Sequence, residues 1–221
     1  RGISTTVASA GGDFRESVSF IIEAMLQSPR FVYRIESQPG YDTEWPVSQH
    51  ELASRVSYIV WGCPPDETLN KVVDADNLYG AELNQQIRRM LDDSRAVDRS
   101  LQFASDWLNL GRLQNLSPSP KMFPGWNSQL ASDMRMETLE YFRHVIWEKK
   151  LPLSALLNTQ ATFATPRLAE HYGLTKPATK TEQASEYDLS KIKGRGGLLT
   201  HASVLTVGGD EASMVSRGLF V

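Results

Sequence analysis

The chain has 221 residues, 41% hydrophobic and 22% charged, and a chain of this length buries about 70% of its unfolded surface, so it needs neither disulfides nor a metal to fold. Its single cysteine, Cys63, excludes an internal disulfide, a cysteine-rich zinc site and the Cys-x-x-Cys-His attachment of c-type haem. Lys and Arg number 23 against 26 Asp and Glu, which argues against a nucleic-acid partner, and no apolar run approaches the ~20 residues of a membrane span.

Asp13 and Glu16 make a capping box ahead of Val18, Ile21, Ile22, Met25 and Leu26, so a helix is predicted up to Pro29. Arg30 to Arg34 reads as a short strand or an irregular, partly buried segment. Ser48 and Glu51 repeat the box before Leu52, Val56, Ile59 and Val60, predicting a second helix closed by Gly62 and Pro64-Pro65. Asp66 caps a short turn from Glu67 to Val73, and Leu83, Ile87, Met90 and Leu91 mark a third helix. Ser94 starts a fourth, with Val97, Leu101, Ala104, Trp107 and Leu108 inward and Gly111 at its end. Prolines, a glycine and the apolar pegs Met122, Phe123 and Trp126 make Leu116 to Asn127 a packed loop.

Ser128 caps the longest predicted helix, Gln129 to Lys150, whose broad stripe of Leu130, Met134, Tyr141 and Val145 suits a central element. Beyond it come a short turn at Ser154 to Leu157, an irregular Thr159 to Ala164 and a short helix from Pro166 to Tyr172-Gly173. A polar surface loop from Thr175 to Lys193 and one last helix after Gly196-Gly197 complete the chain. The expected fold is mainly α: a bundle-like helical domain over residues 1–174 with long irregular loops, a mobile linker at 175–194, and a partial second helical unit at 195–221. Because the chain opens at Arg1 without Met and stops in Leu219-Phe220-Val221, we expect it to be part of a longer polypeptide.

Glu137, Glu140 and His144 share one side of the long helix, where two carboxylates and an imidazole could ligate a metal or share protons. Helical carboxylate sites characteristically carry Glu-x-x-His, however, and Glu140 and His144 are spaced Glu-x-x-x-His. A solvated charged stripe, with Glu137 and Glu140 paired to arginines, is the plainer reading. His201 follows the turn Gly194-Arg195-Gly196-Gly197, which could cradle an anion but lacks the Lys-Ser/Thr of a P-loop; helix capping accounts for it more simply. Arg30, Arg34, Arg55, Arg195 and Arg217 lie beside Pro, Tyr, Gly or Trp rather than on polar faces. They read as guanidinium groups fixed by carboxylates such as Glu36, Asp66 or Glu170, or as a clamp for a substrate carboxylate. His201, Arg55, Arg195 and Arg217 are therefore the candidate catalytic or binding residues. There is no Gly-x-Ser-x-Gly elbow, and Cys63 has no base near it in sequence.

The blocks Ser28-Pro29-Arg30-Phe31-Val32-Tyr33-Arg34, Glu51-Leu52-Ala53-Ser54-Arg55, Arg88-Arg89-Met90-Leu91-Asp92-Asp93-Ser94 and Leu168-Ala169-Glu170-His171-Tyr172-Gly173, in that order, resemble the domain of unknown function numbered 1592. From Arg195-Gly196-Gly197-Leu198-Leu199 to Ser216-Arg217-Gly218 the chain resembles the start of the domain numbered 1588. It departs from that pattern at Ala212 to Ser216, where the family has Thr-Ser-Pro before the Arg-Gly pair. The resemblance is to large exported proteins of Planctomycetes and other bacteria, often joined to a cytochrome c domain. It implies a periplasmic or cell-surface protein, no cofactor within this chain, and haem c on another domain or chain. The implied role is positioning a substrate or a haem-bearing partner in a redox protein. The competing expectation is a structural subunit of a multi-chain assembly, with Trp45, Trp126 and Phe220 as docking pegs.

Overall fold

A computed structural model of the chain describes residues 2–36, 46–175 and 183–206, together with Val215 and Gly218. The described part is mainly α, with one small two-stranded sheet, and none of its helices is long and apolar enough to cross a membrane. It divides into two compact units, residues 1–88 and 89–221.

The first unit holds α1 (Gly2–Ser9), α2 (Phe14–Leu26), α3 (Pro29–Val32), α4 (Gln49–Val60) and α5 (Glu67–Asp74), and α6 (Gly80–Leu91) begins in it. Both capping boxes form. The Asp13 side chain accepts from Glu16 N–H while the Glu16 carboxylate accepts from Asp13 N–H, and Ser48 and Glu51 do the same for α4. Each box satisfies two amide donors that a bare helix end leaves open. Asp66 caps α5 through Leu69 N–H, and Gly62 turns the chain out of α4 at φ +74°, a left-handed conformation glycine adopts without steric strain.

The segment expected as a strand or irregular run is in fact the single turn of α3. Pro29 sits at its first position, where a missing N–H costs nothing, and Tyr33 then returns to extended backbone (φ −112°, ψ 146°). α1 is built from Gly, Ser, Thr and Val, which carry little helix signal, and the sequence did not announce it. Of α2 only Ser17 is buried; Phe14, Phe20, Ile22, Met25 and Leu26 are all more than half exposed.

The second unit contains α7 (Ser94–Trp107), a 3₁₀ turn (Leu110–Asn115), α8 (Ser128–Phe142), a π-helical turn (Arg143–Glu148) and a second 3₁₀ turn (Leu153–Leu157). It continues with β1 (Ala161–Ala164), α9 (Pro166–Tyr172), β2 (Ser185–Asp188), a 3₁₀ turn (Leu198–Thr200) and α10 (Ala202–Leu205). α7 and α8 are capped by Asp93 and Asn127, one residue before the predicted serines; both side chains accept amide hydrogen bonds as well as Ser does. The long predicted helix changes pitch at its end, where Lys149 N–H bonds to His144 C=O five residues back.

β1 pairs antiparallel with β2, Thr162 opposite Tyr187. Polarity marked residues 159–164 as irregular and 175–193 as a surface loop. The pairing instead satisfies both backbones and buries Tyr187 and Leu189, a non-local contact that local composition does not reveal. Leu130, Ala131 and Met134 of α8 pack with Leu168, Ala169, Tyr187 and Leu189 in one apolar cluster, and Tyr141 and Phe142 pack with Val145, Leu101, Leu108 and Leu198 in the other. α8 is thus the central element its broad stripe predicted, and Trp126 in the loop before it packs on the first cluster. Residues 198–205 also lie in this unit, with Leu198, Ala202 and Val204 buried.

Candidate functional site

The densest gathering of polar side chains in the second unit surrounds Glu137, in the middle of α8 and fully buried. Its carboxylate accepts hydrogen bonds from the Thr162 hydroxyl of β1 and from the Tyr172 hydroxyl at the end of α9, the latter at 2.6 Å. Tyr172 Oη in turn accepts from Ala202 N–H at 2.9 Å. Four chain segments therefore meet on one carboxylate. Burial favours the neutral acid and pushes the Glu137 carboxyl up to about 7, against the lowering pull of Thr162, Tyr172 and the Arg195 charge. Burial and the neighbouring Glu137 charge also drive the Tyr172 hydroxyl far above its usual range.

Arg195 and His201 belong to this cluster. The Arg195 guanidinium lies 3.6 Å from the Tyr172 ring centroid, a cation–π contact, where the sequence had suggested a carboxylate such as Glu170 as its anchor. His201 is 1% exposed. Its Nδ1 lies 3.2 Å from Thr138 Oγ1, its ring meets Tyr141 edge-on at 4.7 Å, and Nε2 is buried without a hydrogen-bond partner. Burial, and secondarily the Arg195 charge, hold its imidazole down at about 3. Thr138 also shares a hydrogen bond with Ser203, so α10 is tied to α8 by hydroxyls as well as by apolar packing. Arg112 completes the tie: it donates to the carbonyls of Leu108, Asn109 and Ser203.

Glu137, Glu140 and His144 are not brought together. Glu140 forms an ion pair with Arg143 at 3.4 Å, and His144 Nδ1 lies 2.9 Å from Glu148, while Glu137 faces Thr162 and Tyr172. Among the described residues no group of three or more His, Cys, Asp or Glu side chains is placed to hold a metal ion. The solvated-stripe reading therefore fails at Glu137, which is in the core and bonded to hydroxyls instead of an arginine. One sequence signal could have found it. Leu130, Met134, Glu137 and Tyr141 follow a 4-3-4 spacing, so Glu137 occupies an inward position of the apolar stripe.

In the first unit, Arg55 of α4 does meet a carboxylate the sequence named: its Nε and Nη2 donate to the two oxygens of Glu36. This fork lies in a groove of about 1100 Å³ between residues 30–36 and α4, which also takes in Arg30, Arg34 and Tyr58. Arg34 stacks over the Tyr58 ring at 4.6 Å. Arg217, Trp45 and Phe220 lie outside the described residues.

Chemically, the Glu137 cluster can hold and exchange a proton within the fold, but Glu137, Thr138, Thr162, His201 and Ser203 are all at most 1% exposed, so it offers no surface to a substrate. The groove around Arg55 is open and can recognise a carboxylate. No curated protein and no solved structure shows significant similarity to the chain. Residues 47–174, more than half of the sequence, match the family of proteins of unknown function designated PSD4 (DUF1592), and the chain belongs to that family.

Proposed function

We propose that this chain is a helical docking module of an exported, cytochrome-c-linked redox protein, which holds a haem-bearing domain or chain in position and performs no chemistry of its own. One observation carries the reading. The groups able to do proton chemistry are closed off in the core, whereas large apolar side chains stand in solvent: Phe20, Ile22 and Met25 on α2, and the stacked pair Phe103 and Trp107 on α7. Contiguous exposed apolar surface of this kind is what protein partners cover. The haem in this reading belongs elsewhere, because Cys63 is the only cysteine, and the cytochrome association and export follow from the resemblance noted above.

The test is a photo-crosslinking residue placed at Phe20 or at Trp107 in the full-length protein in its own cells, with the adducts identified by mass spectrometry. Adducts to a Cys-x-x-Cys-His peptide bearing haem are expected. Adducts only to haem-free chains would replace the redox reading with that of a structural assembly subunit, and the absence of any adduct at either position would overturn docking altogether.

A further inference from the structure

The groove between residues 30–36 and α4 already has an occupant. After α3 the backbone is extended at Tyr33, and the segment ends by laying the Glu36 carboxylate across the Arg55 guanidinium in a two-bond fork. That is the geometry in which arginine reads a carboxylate. Both partners are open to water, with side chains 51% and 36% exposed, and exposed pairs of this kind are weak enough to exchange, favouring the closed form by about five-fold at most. The surroundings favour an anion. Of the two carboxylates in the groove, Glu36 sits on Arg55, and Glu51 is engaged in capping α4 through Ser48 N–H at 2.8 Å. Arg30 and Arg34 add two further positive charges, and Tyr58, Pro64 and Pro65 supply an apolar wall.

We propose that this groove is a receptor for an extended acidic segment of a partner protein, with Arg55 as the carboxylate fork and Glu36 as a built-in occupant that the partner displaces. The structure displays the binding mode in cis: an extended run with apolar side chains and one carboxylate, seated on α4. Tethering gives Glu36 a high effective concentration, so the free groove is mostly masked and an incoming acidic chain must compete for it. This deepens the docking reading, and the two fail separately: crosslinks at Phe20 and Trp107 do not depend on Arg55, and the groove can be tested without any haem protein.

The probe is a fluorescent peptide with the chain's own sequence from Phe31 to Glu36, titrated against the whole chain and followed by anisotropy at low salt. Weak binding to the wild type is expected, about five-fold tighter binding to Glu36→Gln, and loss of that gain in the double variant Glu36→Gln/Arg55→Gln. A peptide carrying Gln in place of its terminal Glu should not bind the Glu36→Gln chain, a control that leaves the protein untouched and so cannot be confused with misfolding. Raising the salt should weaken the specific complex. Equal binding of the Glu and Gln peptides, or no gain on Glu36→Gln, would overturn the proposal.

Discussion

Replacing Glu137 by Gln removes one proton site from the core while keeping the size and most of the hydrogen bonding of the side chain. Burial raises the Glu137 carboxyl from its ordinary 4.5 to about 7. The folded chain therefore keeps a proton that the unfolded chain has released, and the stability this confers is complete below pH 4.5 and lost as the pH rises through 7. The difference amounts to about 3 kcal/mol. His201 works in the opposite sense. Its imidazole is held down from 6.5 to about 3, so stability is complete above pH 6.5 and falls as the pH drops through 3, by about 5 kcal/mol in all. Between pH 4.5 and 6.5 the two contributions oppose each other and nearly cancel. In Glu137→Gln only the histidine slope remains, and the variant gains about 3 kcal/mol on the wild type between pH 4 and pH 8. Urea unfolding followed by tryptophan fluorescence across that range measures the difference directly, and all other titrations cancel in it. Parallel curves for the two proteins would refute the assignment of a neutral acid to the core.

Three further outcomes follow from the same unit. Gly197→Ala would place a Cβ 2.1 Å from the Leu157 carbonyl oxygen at φ +72° and should cost about 3 kcal/mol or more in thermal unfolding, whereas Gly173→Ala, at φ +68° in open space, should cost only about 1. Arg112→Ala strips the donor from three carbonyls and should cost about 3 kcal/mol, with amide exchange quickening first over residues 202–206. Tyr172→Phe leaves Ala202 N–H and one Glu137 oxygen without a partner and should cost about 2 kcal/mol. It should also push the Glu137 carboxyl further up, moving the alkaline loss of stability to higher pH.

Much of this architecture was readable before any coordinates. The helix starts at Asp13, Ser48 and Asp66 were legible because capping depends on side chains within three residues of each other, and the Pro166 start and Gly173 stop of α9 rest on equally local rules. The sheet was not, since Ala161–Ala164 and Ser185–Asp188 are four-residue segments paired across more than twenty residues, and nothing in either alone names the other. The site was legible in pieces. Arg55 with Glu36, and the singling out of Arg195 and His201, came from residues in unusual company. Glu137 was assigned to the solvated face because its charge was weighed above its position in the stripe. Tyr172, Thr162 and Ser203 join it only through tertiary contact, which local reading does not reach.

The π-helical turn at Arg143–Glu148 decides where the chain points when it leaves α8. Removing one residue there would restore the ordinary pitch and swing everything downstream by roughly 100° about the axis. Directly downstream lies the 3₁₀ turn Leu153–Leu157, whose Leu156 carbonyl receives the Tyr141 hydroxyl at 3.0 Å and whose Leu157 carbonyl leaves Gly197 no room for a side chain. A single surplus residue in one helix thus acts as the aiming device for a loop on which two distant segments converge, and a length change at that point would be felt far more keenly than one in the polar stretch before β2.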